Sequence, residues 1–125
     1  MKVSVNESEV RRIDIGAPFK RTVRLLASTE KGMDLPGVAG PALGVLHTKR
    51  LTVGITDIPP GGGLAPHIHD DTEEIIYALS GTAEYVVGNE RIVMKPGTVL
   101  HIPPGTRHEA TNRSDTALKQ IWCTC

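Results

Sequence analysis

The sequence has no excess of charge of either sign. Lys and Arg number 14, Asp and Glu number 14, and the formal net charge is +0. That balance leaves no electrostatic footprint for nucleic acid or an anionic membrane surface, so neither is expected as a partner. Long apolar runs are missing too. No stretch approaches the roughly 18 apolar residues of a membrane span, and the opening MKVSVNESEVRR lacks the apolar core of a signal peptide. A cytoplasmic location is expected. Cysteine is confined to Cys123 and Cys125, within the last three residues. The pair forms neither a metal-spaced set nor a secreted disulfide framework, and reads as two free thiols on a final strand. No segment shows an amphipathic helix of ordinary length.

What is present points to short strands. The 125 residues suffice for one domain with a real core, and 39% hydrophobic with 22% charged residues suits a soluble globular chain. Glycine (13) and proline (9) punctuate short runs and do not gather in one segment. Strands are expected at 12–15, 21–26, 82–87, 91–94, 98–102, 108–112 and 117–125, with a hairpin turn at Gly88-Asn89. Residues 28–44, rich in Gly and Pro without a period, read as a loop that could cover a cavity mouth. Residues 46–58 alternate, with Leu51, Val53 and Ile55 on one face and Thr52 and Thr56 on the other. The cluster Lys20, Arg21 and Arg24 reads as a solvated strand face, with contact to a partner subunit or anionic ligand as the alternative. The architecture expected is all-β, a barrel or sandwich.

The chemistry concentrates between Gly61 and Gly81, in GGGLAPHIHDDTEEIIYALSG. Alternate residues of an extended strand leave the same face about 6.5 Å apart, so His67 and His69 can converge on one ion. A turn at Asp70, Asp71 and Thr72 lets a second strand return a carboxylate at Glu74 to the same point. His108 offers a third imidazole. Three buried imidazoles and a carboxylate without a cation would each need a partner, at about 1–3 kcal/mol for every group left unpaired. A divalent ion satisfies all four at once.

These residues resemble the cupin family. Its first motif, G-x5-H-x-H-x(3,4)-E-x6-G, is filled by Gly61, His67, His69, Glu74 and Gly81. Its second, G-x5-P-x-G-x2-H-x3-N, is filled by Gly97, Pro103, Gly105, His108 and Asn112, with fifteen residues between the motifs. Glu73 also fits the looser spacing, but only Glu74 leaves six residues before Gly81. The resemblance implies a jelly-roll β-barrel holding one divalent transition metal (Mn, Fe, Ni, Co, Cu or Zn) on His67, His69, Glu74 and His108. Residues 27–125 would form the barrel, with its motifs at 61–81 and 97–112. Residues 1–26 would supply N-terminal strands and a possible dimer arm, since a homodimer is expected. Gly81, Gly97 and Gly105 are expected at positive φ, and Asn112 is expected to brace a turn.

Three nitrogens and one oxygen suit first-row transition metals, and an octahedral ion would keep two adjacent positions for a chelating ligand. The expected function is a metalloenzyme of dioxygenase, isomerase or decarboxylase type, acting on a small oxygenated acid or enediol. A non-catalytic binding or sensing module is the alternative. His101 is a candidate general base. Tyr77 and Arg107 are candidate substrate-binding residues, although Tyr77, like Trp122, fits a barrel wall.

Overall fold

A computed structural model describes residues 2–125. After a short 3-10 turn at Glu7–Glu9, the strands are β1 (Ile13–Ile15), β2 (Arg21–Ser28), β3 (Leu46–His47), β4 (Thr52–Ile58), β5 (Gly63–His67) and β6 (Glu74–Ser80). There follow β7 (Ala83–Val87), β8 (Glu90–Met94), β9 (Val99–Ile102), β10 (His108–Thr111) and β11 (Leu118–Thr124). They form two sheets, of order β1-β2-β4-β11-β6-β9 and β5-β10-β7-β8, with β3 beside β2 in the first. Pairing is antiparallel except between β2 and β3. Helix is nearly absent among the described residues, and no helix there is long and apolar enough to cross a membrane. The arrangement is a jelly roll, as expected.

Strand parity explains what lies between the sheets. Along β6 the buried positions are Glu74, Ile76 and Ala78, and along β11 they are Leu118, Gln120, Trp122 and Thr124. Each apolar side chain buried this way contributes about 1.5–3 kcal/mol, which supplies the drive for closing the sheets. Trp122 is accommodated because Gly54, its register partner on β4, leaves no Cβ in the way of the indole. The indole N–H donates to Thr56 Oγ1 at 2.8 Å. Thr52, Thr56 and Ile58 therefore point inward from β4, and Val53 lies on the other face.

Three expectations change. The alternating run 46–58 divides into β3 and β4, because residues 48–51 leave the ladder. β2 passes through the expected division at 26/27 and pairs with β4 along most of its length, so the N-terminal strands belong to the main sheet. Arg21 is not on a solvated face. It is 4% exposed, sharing the inward side of β2 with Val23, Leu25 and Ala27, while Arg24 points outward and meets Asp57 at 3.4 Å.

The turns behave as read. Gly88 opens the β7–β8 loop at φ +58°, as a first loop position of the II′ kind requires. Gly81, Gly97 and Gly105 all take positive φ. Gly105 matters most for the site, since its N–H donates to His69 O at 2.8 Å and ties the second motif to the first. Asn112 is fully buried. Its amide donates to Ile58 O and Thr116 O, both at 2.8 Å, and its Oδ1 accepts from Ser114 N and Oγ. It braces the turn before β11.

Candidate metal centre

The imidazoles are brought together by pairing of β5 with β10, where His67 and His108 are direct register partners. Their ring centroids lie 4.0 Å apart. His69, two residues beyond the end of β5, completes the group, with its ring 4.9 Å from that of His67 and 5.4 Å from that of His108. One nitrogen from each lies within 4.8 Å of the others. An ion bound at about 2.0–2.1 Å needs donors roughly 3.0–3.4 Å apart, so the group is of the right order and slightly open.

Local hydrogen bonds set the bearing of two rings. His67 Nδ1–H donates to Ala65 O at 2.6 Å, and His108 Nδ1–H donates to Thr106 O at 2.9 Å. Each bond uses the carbonyl two residues back, fixes the tautomer and leaves Nε2 as the free lone pair. His108 Nε2 is buried and has no hydrogen-bond partner among the described residues. An orphaned acceptor in a nearly dry site is costly unless something outside the chain occupies it. The donors therefore fit a metal ion.

Glu74 enters from the facing sheet, at the buried start of β6. Its Oε1 is 3.6 Å from His108 Nε2, beyond a hydrogen bond but close enough to share a ligand. Burial pushes the Glu74 carboxyl up to about 7. Burial also lowers His108 to about 4, aided by the neighbouring imidazoles against the Thr106 carbonyl. His67 is lowered mainly by burial, with the Arg21 charge as a smaller contribution in the same direction. His69 is lowered by burial and then by His67. Without a cation the site is driven toward neutral groups, so Glu74 and His108 do not form an ion pair.

The structure separates the other candidates from this centre. Glu73 faces out, accepting from His101 Nε2–H at 2.9 Å, and His101 is half exposed on the outer face of β9. Leu100 and Ile102 are the inward residues of that strand, and parity forces His101 the other way. Tyr77 is 41% exposed on the outside of β6. Arg107 is exposed, its guanidinium 3.8 Å from Glu109. None of these four lines the cavity beside the histidines. Trp122 does.

The cavity walls hold three polar residues that the motifs do not name, Arg21, Thr56 and Gln120. Gln120 is buried and accepts from the Tyr85 hydroxyl at 2.9 Å. Met33, Leu35 and Pro36 cover one side, so the loop expected over a cavity mouth does border it. Arg21 Nη2 donates to Pro36 O at 2.9 Å and fastens that cover. Alternation along β2 was the available signal for Arg21.

Comparison with known proteins agrees with this fold. Over 66 residues the chain is 35% identical to uncharacterized protein MJ1618 of Methanocaldococcus jannaschii, covering 53% of each chain. It thus spans about half the length of the curated relative it matches. A crystal structure from Thermotoga maritima, described as a predicted oxalate decarboxylase, superposes with a TM-score of 0.78 at 21% identity, over 98% of this chain and 97% of that one. The polyketide cyclase RemF from Streptomyces resistomycificus gives 0.72 at 22% identity, over 99% and 79%. KdgF from Halomonas sp. gives 0.66 at 18%, over 98% and 94%. At these identities the likeness is one of fold. A family model described as the cupin domain matches residues 54–124, a span holding both histidine motifs and most of the barrel, and the chain belongs to that family.

Proposed function

We propose that the chain is a metal-dependent cupin enzyme acting on a small oxygenated acid or enediol, with His67, His69, Glu74 and His108 as ligands to one divalent transition metal. The observation that carries this reading is His108 Nε2, buried and unpartnered while facing two further imidazoles and a carboxylate. When bound, a divalent ion supplies Lewis acidity toward a chelated oxygen or, for redox-active metals, activation of O2. The chain's own contributions are distinct. His67 and His108 present fixed lone pairs through their backbone-bonded Nδ1 atoms. Leu35, Pro36 and Trp122 limit water around the reacting group. Glu74, pushed up to about 7 while no ion is present, gives up its proton when it becomes a ligand, so loading near neutral pH releases a proton there. Structural relatives described as a decarboxylase and a cyclase are consistent with a cavity whose chemistry varies on a constant frame.

A second reading is a binding or sensing module in which the ion anchors a ligand without turnover. It is favoured by the outward position of His101, which leaves no His, Asp or Glu beyond the proposed ligands lining the cavity among the described residues. Elemental analysis of protein purified without an affinity-metal column tests the shared part, with close to one transition metal per chain expected. Aerobic and anaerobic trials with small acids then separate the readings. Turnover that disappears in His67→Ala, with the barrel still folded, supports the enzyme. Ligand binding without turnover under both atmospheres supports the module.

A further inference from the structure

Resting on the metal reading above, we propose that Arg21, assisted by Gln120, is the anion-recognition end of the cavity, and that the chelated ligand is a small carboxylate with oxygens left over for the guanidinium. Arg21 is 4% exposed, yet no carboxylate among the described residues lies within ion-pair distance of it. Arg24, three positions along the same strand and on its outer side, does have such a partner in Asp57. A guanidinium offers five N–H donors, and one hydrogen bond to the chain is made here, from Nη2 to Pro36 O. Burying this cation among Val23, Leu35 and Trp122 is unfavourable unless an anion meets it.

Gln120 adds a second donor. Its Oε1 is engaged by the Tyr85 hydroxyl, which leaves the amide nitrogen for the cavity it lines. Charge points the same way. With the imidazoles neutral, a divalent ion and one guanidinium would face a single carboxylate, leaving the cavity positive. An anionic ligand offsets this and a neutral diol does not. Size narrows the class further. The free space is about 40 Å3, and one water needs about 10–15 Å3, so only an ion and a few ligand atoms fit without movement of the Met33–Pro36 cover. A planar guanidinium presented to spare carboxylate oxygens matches a two-pronged contact that lysine cannot copy.

The test uses cobalt-loaded full-length protein and two bidentate chelators of similar size. Oxalate is the smallest chelating dianion and keeps two oxygens free. Acetohydroxamate also chelates through two oxygens but presents a methyl group and an N–H there, with no spare oxygen. Calorimetric Kd values are measured for the unsubstituted chain, Arg21→Gln and Arg21→Lys, with cobalt content and the visible absorption band recorded for each. Arg21→Gln is expected to weaken oxalate about 10- to 100-fold while acetohydroxamate changes little. Arg21→Lys should recover part of the loss, and it keeps the test open if the glutamine variant does not fold. Equal weakening of both chelators, or of neither, would overturn the proposal and leave Arg21 as a fastener for Pro36. Failure of the unsubstituted chain to hold cobalt overturns the metal reading and this inference with it. Normal cobalt loading with oxalate unaffected by the substitutions removes this inference alone.

Discussion

Both faces of the large sheet depart from the usual pattern around β6 and its neighbours. The inner face carries Arg21, Thr56, Glu74, Gln120 and Thr124, all buried. The outer face of β6 and β9 carries Ile75, Tyr77, Leu79 and Val99, which are 41–58% exposed. Antiparallel sheets ordinarily place apolar residues inward and polar ones outward. This departure sets a polar pocket among Val23, Leu35, Ile76 and Trp122 of the packed core. It also leaves an apolar exterior that a second copy of the chain could cover, and we propose the homodimer on that face.

The largest effect should come from emptying the inner face of its donors. His108→Ala is predicted to lower metal affinity by roughly 100-fold or more, beyond the 10- to 100-fold typical of an outer-shell change. Competition with a chromophoric chelator measures this, and retention of metal at unchanged affinity would remove His108 from the ligand set. Glu74→Gln should act in opposite directions on two properties. The folded carboxyl sits near 7 against an ordinary 4.5, so the metal-free fold holds the proton over a window where the unfolded chain has lost it. Stability from this group is therefore retained below pH 4.5 and falls as pH rises to 7. The glutamine variant should be more stable than the parent by about 3 kcal/mol at pH 8, equal to it at pH 4, and weaker in binding metal. Denaturant melts of metal-free protein at both pH values check the sign. Equal gains at the two would mean the carboxyl titrates normally.

Asn112→Ala probes a polar interior residue with no part in the metal site. Loss of its bonds to Ile58 O and Thr116 O should cost about 2 kcal/mol while metal content stays constant. A drop in metal with unchanged stability would contradict its bracing role. The smallest effect is expected outside. Replacing Tyr77 and Val99 by serine should shift the chain toward monomer in light-scattering chromatography, with fold stability altered by no more than about 0.5 kcal/mol per site. An unchanged oligomeric state would place the copy-to-copy contact elsewhere.

Much of this contrast is readable from residue order. Fixed spacing selected His67, His69, Glu74 and His108; the three imidazoles lie together, Glu74 Oε1 is 3.6 Å from His108 Nε2, and Glu73 is turned away. The glycine turns and the Gly88-Asn89 hairpin follow from backbone sterics alone. Arg21 was obscured by reading it with Lys20 and Arg24 as a charge cluster, when its parity with Val23 and Leu25 places it inside. His101 is the converse, since parity with Leu100 and Ile102 sends it out. The continuity of β2 across residues 26 and 27 depends on its pairing with β4, which is distant in sequence and leaves no local mark.

The three imidazoles are unequal in freedom. Two are locked by the carbonyl two residues back, whereas the hydrogen bonds of the described residues give the ring of His69 no such anchor. An arriving cation thus meets a stationary pair and one swinging arm. The entropy of loading falls on His69, and the exchange rate of the ion should answer to that arm before the others.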